Sequence, residues 1–219
     1  MPSRIVLLGP PASGKGTQGR RLASSLGLAY LSTGALLREA MECMSPLGIQ
    51  AKPILDRGGY LPDDLMCRIL SAWLESAHGA WLLDGFPRSV PQALFLDEWL
   101  NSRSLSLAAV IALDVPKEEL LRRSADRVEC PDCRWSGPTA AASSDHRCPS
   151  CAAVVAPRDD DTPERFLARF QAYETYAMPL LDYYAARGIL HRCDATSSPD
   201  EVAAVILEQI TPLISHGKA

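Results

Sequence analysis

The chain has 219 residues, 47% of them apolar and 22% charged, with a formal net charge of −4. That length suits one substantial domain with small insertions, whose core needs no disulfides. The mild acidity creates no global field to gather nucleic acid or an anionic membrane, and no apolar run approaches the ~20 residues that span a bilayer.

Residues 4–8 read as a buried strand that enters a Gly/Pro-rich turn and then a helix stopping near Leu26-Gly27. Residues 35–44 and 47–57 read as helices, broken at Ser45-Pro46 and stopped by Gly58-Gly59. Pro62 opens a helix to about Ala77. Residues 80–83 form a second apolar strand, ended by Asp84-Gly85. A helix over 91–101, a third strand over 108–113 and a helix over 116–127 follow. Residues 128–160 change character, with four Cys, several Ser, Ala and Pro, and little helical periodicity. A long helix over 163–187, a short strand over 189–193 and a helix over 199–213 complete the chain. Strands alternating with helices predict an α/β fold, a parallel sheet covered on both faces. The Cys-rich stretch interrupts it as an inserted module.

The sharpest local signal is Gly9-Pro10-Pro11-Ala12-Ser13-Gly14-Lys15-Gly16-Thr17, between a predicted strand and a predicted helix. Such a loop turns backbone N–H groups around an anion, and the helix N-terminus adds its dipole. Lys15 then reaches the outer phosphates. The general pattern wants Ser or Thr directly after the Lys to meet Mg²⁺. Here Gly16 stands there and Thr17 comes next. The competing reading is a Gly-rich turn with a solvated Lys. Among the basic residues, 18 are Arg and 4 Lys, and Arg is the better fork for phosphate. Arg123 and Arg127 are four apart, which on a helix puts them on one face.

Cys130-x2-Cys133 and Cys148-x2-Cys151 are two knuckles separated by 14 residues. They can place four thiolates tetrahedrally around Zn²⁺, with Pro131 and Pro149 favouring tight turns. An iron–sulfur cluster takes the same ligands, and His146 could replace one Cys. Four Cys complete a structural rather than an open catalytic site. Cys43, Cys67 and Cys193 are dispersed and read as small packing residues. The N-terminal apolar segment stops at Gly9, too short for a signal-peptide core, so a cytoplasmic location is expected, and clustered cysteines there point to metal rather than disulfides.

The Lys15-Gly16-Thr17 ending resembles that of adenylate kinases, and further segments resemble that family in the same order. These are Leu31-Ser32-Thr33-Gly34 with Leu37-Arg38, then Asp84-Gly85-Phe86-Pro87-Arg88 and Gln92, then Arg123, Arg127, Arg158 before an Asp run, and Arg169. The likeness runs along essentially the whole chain. It implies a P-loop NTPase-type three-layer core over 1–31, 62–127 and 161–219. It also implies an NMP-binding helical segment over 32–61 and a four-Cys zinc lid over 128–160. The implied activity is reversible transfer of a phosphoryl group from ATP to AMP, giving two ADP, by a monomer with no nucleic-acid or membrane partner.

The resemblance implies that Ala12, Ser13, Gly14, Lys15, Gly16 and Thr17 hold the donor phosphates, with Arg123 packing on the donor base. Arg38 and Arg88 would hold the acceptor phosphate. Thr33, Gly85, Phe86, Pro87 and Gln92 would complete the AMP site, Gln92 through an adenine edge. Arg127, Arg158 and Arg169 would surround the transferring group, and Asp84 would sit in the outer shell of the Mg²⁺ that travels with ATP. Asp160 and Asp161 would orient Arg158 or the lid hinge, and one of the Asp159–Asp161 run would cap the helix opened by Pro163. Departures are Ala12 for a frequent Gly, which requires a negative φ there, Ala35 for a frequent Asp, which leaves Ser32 or Thr33 to cap, and Val128 for a frequent Arg. Arg134 and Trp135 either reach the donor base or, for Trp135, pack the metal module. The alternatives are a kinase for another nucleoside monophosphate, or a non-catalytic nucleotide-binding protein whose zinc ribbon binds nucleic acid.

Overall fold

The computed structural model describes residues 3–77 and 79–215; residues 1–2 and 216–219, at the ends of the expected core, lie outside them. The chain begins β1 (Arg4–Leu8), α1 (Lys15–Leu26), β2 (Ala29–Ser32), α2 (Thr33–Glu42), α3 (Pro46–Leu55), α4 (Asp63–Ser76), β3 (Trp81–Asp84) and α5 (Val90–Asn101). It continues through β4 (Ala109–Asp114), α6 (Lys117–Ala125), β5 (Arg127–Glu129), β6 (Ser136–Pro138), β7 (Ala156–Pro157), α7 (Pro163–Ala186), β8 (Leu190–Asp194) and α8 (Pro199–Ser215). No helix among the described residues is long and apolar enough to cross a membrane.

Five strands form one parallel sheet in the order β2-β3-β1-β4-β8. Its central strands are apolar except for Arg4, Asp84 and Asp114 at their ends, because both faces are covered. Side chains alternate across the sheet. Ile5, Leu7, Leu82, Ile111 and Leu113 pack with Leu22 of α1 and Val202, Ile206 and Ile210 of α8. Val6, Leu8, Leu83, Val110 and Ala112 pack on the other face with Leu70, Leu96 and Leu181, from α4, α5 and α7. The second sheet is antiparallel, β6-β5-β7, inside the Cys-rich insertion.

The expected α/β alternation is present, with element ends shifted by a few residues. Two differences matter for the site. β2 is an additional strand, at the sheet edge, where only Leu31 of its four residues is buried. The expected helix over 116–127 stops at Ala125, so Arg127 opens β5 and does not share a helix face with Arg123. Caps follow local chemistry. Ser32 Oγ accepts from the Ala35 N–H at 3.4 Å, which supplies the cap that Ala35 itself leaves unmet. Thr162 Oγ1, not one of Asp159–Asp161, accepts from the Arg165 N–H and caps α7. The Asp160 and Asp161 carboxylates are occupied by arginines instead, and the Asp159 backbone carbonyl accepts from Arg165.

Candidate active site

The loop after β1 closes on itself before α1 begins. The Ser13 N–H donates to the Pro10 carbonyl at 3.2 Å, and in the first turn of α1 the Gly14 carbonyl accepts from the Thr17 and Gln18 amides at 3.0 and 2.9 Å. Ala12 adopts φ 63°, so the expected negative φ is corrected. The loop's closure holds Ala12 in the left-handed region despite its Cβ, at a cost of about 1 kcal/mol or more. Lys15 Nζ folds back over the loop and donates to the Gly9 and Pro10 carbonyls at 2.8 and 2.7 Å. Burial pulls its pKa down to about 7; Asp84 opposes the shift, and the guanidinium groups of Arg88, Arg127 and Arg169 add to it. An ammonium so placed regains its charge most readily when an anion arrives.

β3 delivers the Asp84-Gly85-Phe86-Pro87-Arg88 string to the mouth of the sheet. Asp84 is 5% exposed and its Oδ2 accepts from Tyr30 Oη at 2.8 Å. Thr33 Oγ1 donates to the Gly85 carbonyl at 2.9 Å, and Arg88 Nε donates to the same oxygen at 2.7 Å. The Arg88 guanidinium lies 4.7 Å over the Tyr60 ring, a cation–π contact that spacing could not reveal. Gln92 is 2% exposed. Its Nε2 donates to Asp63 Oδ1 at 2.7 Å and its Oε1 accepts from the Arg88 N–H at 2.8 Å. The amide expected at an adenine edge is therefore engaged at both ends, and it buttresses Arg88.

Across the same cavity, arginines from β5, α7 and the segment between β7 and α7 converge on a few carboxylates. Arg127 donates to both oxygens of Asp161 at 2.6 Å. Arg158 donates to both oxygens of Asp160 at 2.8 and 2.6 Å. Arg169 reaches Asp160 at 2.9 Å and Asp161 at 2.7 Å. Burial opposes ionisation of both carboxylates, yet Arg158 holds Asp160 and Arg127 holds Asp161 below the usual range. Glu129 stands 3.6 Å from Arg38, 3.4 Å from Arg158 and 3.8 Å from Arg134. Arg134 also pairs with Glu42 at the end of α2. The phosphate loop, Arg38, Arg88, Arg123, Arg127, Arg158 and Arg169 all line one cavity of about 560 Å³. Arg123 is held by Glu119 and by the Ala195 and Thr196 carbonyls.

In the insertion, the Sγ atoms of Cys130, Cys133, Cys148 and Cys151 all lie within 4.8 Å of one another. Cys130–Cys151 and Cys133–Cys148 approach to 3.5 and 3.4 Å, far beyond a disulfide bond. A tetrahedral ion with bonds of about 2.3 Å to sulfur needs S···S edges of about 3.8 Å, so these four residues could hold a metal ion. His146 is not among the clustered ligands. Burial and the Cys148 thiol push Cys133 up to about 12. Burial opposes ionisation of Cys148, but the Ser150 and Cys151 amides draw it down to about 7. Trp135 packs against Val128, Cys130, Cys148 and Val155, the small core of this module. Of the other cysteines, Cys193 is buried as expected and Cys67 half-buried, but Cys43 is exposed.

A family model described as adenylate kinase matches residues 7–189. The chain belongs to the adenylate kinase family. It is 39% identical over 203 residues to an adenylate kinase of Caldanaerobacter subterraneus subsp. tengcongensis, covering 91% of this chain and 92% of that one. It is 39% identical to an adenylate kinase of Methylobacterium nodulans (93% and 94% covered) and 37% identical to one of Clostridium perfringens strain 13 (92% and 94%). As an adenylate kinase it is an enzyme of nucleotide phosphoryl transfer, and the anion loop facing an arginine-lined cavity is the physical counterpart of that membership. Motif matching in this adenylate kinase left out Tyr30, Glu42, Tyr60 and Glu129. None has a signal of its own; each gains meaning only where the fold sets it beside an Asp or Arg of the cavity.

Proposed function

We propose that this enzyme transfers a phosphoryl group reversibly from ATP to AMP, giving two ADP. One observation carries the reading: a single cavity joins the Lys15 loop to Arg38, Arg88, Arg127, Arg158 and Arg169. Two polyphosphates repel each other, so bringing them in line requires this density of cations more than a covalent partner. In this reading the amides of Ala12 to Thr17 and Lys15 hold the donor phosphates, and Arg123 borders the donor base. Arg38 and Arg88 hold the acceptor phosphate, with Thr33, Gly85, Phe86, Pro87 and Gln92 shaping its surroundings. Arg127, Arg158 and Arg169 exchange carboxylate partners for the transferring group. An acceptor phosphate oxygen attacks the donor's terminal phosphorus, and the bond to the bridging oxygen breaks. A phosphate dianion needs no general base.

Thr17 and Asp84 both line the cavity beside the loop and offer oxygen donors, the kind Mg²⁺ takes. Bound with the donor, Mg²⁺ would neutralise and orient its phosphates. Asp84 fits an outer-shell partner for its water. Zn²⁺ is the ion we assign to the four cysteines, as the staple of a lid over 128–160. Residues 32–61 form the acceptor segment, and 1–31, 62–127 and 161–219 the core. A rigid flap of this kind excludes water from the transferring group.

The test is a coupled assay of ADP formation at fixed ATP with AMP, GMP, CMP and UMP in turn, with Lys15→Met as control. AMP should be preferred and turnover should require Lys15. Preference for another acceptor would overturn the AMP assignment. Turnover indifferent to Lys15 would overturn the loop's role, and no turnover with any acceptor would overturn catalysis itself.

A further inference from the structure

The edge strand β2 has a consequence for the metal side of the site. It carries Tyr30 over α1 so that Tyr30 Oη donates to Asp84 Oδ2 at 2.8 Å. The path exists because residue 19 is glycine: a Cβ there would lie 2.6 Å from Tyr30 Cε2 and 3.2 Å from its hydroxyl. The neighbouring helix position is also bare. A Cβ on Gly16 would lie 3.9 Å from the same Asp84 Oδ2 and 3.8 Å from the Arg20 guanidinium. Where the general loop pattern places a hydroxyl at residue 16, this chain places none. Among the described residues, the Tyr30 bond is the hydrogen bond made to the Asp84 carboxylate. Rotation of a carboxylate about its last torsion is soft, so a single donor on one oxygen decides which oxygen serves the cavity. Burial and the adjacent Asp84 raise the Tyr30 pKa, which keeps Oη a donor at any working pH.

We propose that Tyr30, admitted by the missing side chain of Gly19, is a positioning residue that fixes the Asp84 carboxylate toward the water shell of the nucleotide-bound divalent cation. The inference rests on the reading of Asp84 given above. With Oδ2 held by Tyr30, Oδ1 is left to accept from a cation-bound water. Losing such a supporting contact typically costs about tenfold in metal affinity or activity.

Two readouts test it: turnover, and Mn²⁺ binding in the complex with ADP followed by electron paramagnetic resonance. The variants are Tyr30→Phe, Gly19→Ala, Asp84→Asn and the double variant Tyr30→Phe/Asp84→Asn. Tyr30→Phe keeps the ring and removes only the hydroxyl, so its melting temperature reports whether packing survives. It should weaken Mn²⁺ binding about tenfold. Gly19→Ala displaces the ring and should reproduce that loss with the hydroxyl still present. The double variant should be no worse than Asp84→Asn alone, because Tyr30 acts through Asp84. Additive losses, or Mn²⁺ binding unchanged in Tyr30→Phe while Asp84→Asn impairs it, would overturn the role of Tyr30 alone. Unchanged Mn²⁺ binding and turnover in Asp84→Asn would overturn the reading of Asp84 and the inference with it.

Discussion

Asp161 is the carboxylate most deeply committed to the arginine cluster. Its side chain is 5% exposed. It accepts from Arg127 Nε and Nη2 at 2.6 Å and from Arg169 Nη2 at 2.7 Å, with Arg158 Nε 3.8 Å away. Asp161→Asn keeps the shape, withdraws the charge and turns an N–H₂ toward guanidinium groups that only donate. Removing one partner of a buried ion pair costs about 3–5 kcal/mol, because the remaining charge is left uncompensated. In a domain of this size each kcal/mol shifts melting by about 2–4 °C, so a fall of roughly 6–20 °C is expected. A phosphate can fill the place of the lost charge. ADP should therefore raise the melting temperature of the variant more than that of the wild type, measured by calorimetry at low salt. The pH dependence has a definite sign. The folded-state pKa of Asp161 lies below its usual value, so its stabilisation is present above about pH 4 and fades as pH falls further. The gap between wild type and variant should close in that acid range. A variant melting within about 2 °C of wild type at neutral pH, or equal stabilisation of both by ADP, would refute the reasoning.

Gly48→Ala should disturb the acceptor side. The added Cβ would meet the Ala40 carbonyl oxygen at 1.9 Å and the Met41 nitrogen at 2.6 Å, so α3 must part from α2 by more than an ångström. Overpacking of about 1–3 kcal/mol should lower melting, and KM for AMP should rise about tenfold because α2 carries Arg38. Unchanged KM would show that the α2–α3 spacing does not set Arg38. Cys130→Ser and Cys148→Ser should each lose bound zinc and melt roughly 5 °C or more below wild type. Unchanged zinc content and melting in both would sink the staple.

The sheet was legible because both its faces are buried: runs such as Ile5-Val6-Leu7-Leu8 and Val110-Ile111-Ala112-Leu113 carry no alternation to confuse. β2 was not, since a four-residue edge strand with one buried side chain has neither length nor pattern. Arg127 was misplaced because Lys117 to Ala125 is strongly helical and nothing in the next three residues outweighs its continuation. The phosphate loop, the cysteine knuckles and the arginines were legible as residue types at a spacing. Their partners were not. Glu129 lies one residue before Cys130 and resembles any solvated acid until three arginines surround it. Gln92 looked like a free amide on a helix, because its ties to Asp63 and the Arg88 backbone depend on how α4 and α5 meet. Ala12 was read from its intrinsic preference, and the closure of the loop overrode it.

The short strand β5 explains why the metal module and the arginine cavity belong to one device. Side chains alternate along a strand. Arg127 and Glu129 line the cavity, whereas Val128 and Cys130 enter the module's own core with Cys148 and Val155. One face of this short strand therefore leads into the cysteine cluster and the other places two charges of the site. Glu129 in turn links Arg38 of α2, Arg134 after the first knuckle and Arg158 before α7. On the proposed zinc-staple reading, a module this small has too little apolar surface to hold its strand without the ion. Loss of the ion would release Arg127 and Glu129 together. The Cys130 variant should then lose turnover as well as stability, although its sulfur lies on the side of the strand turned away from the cavity.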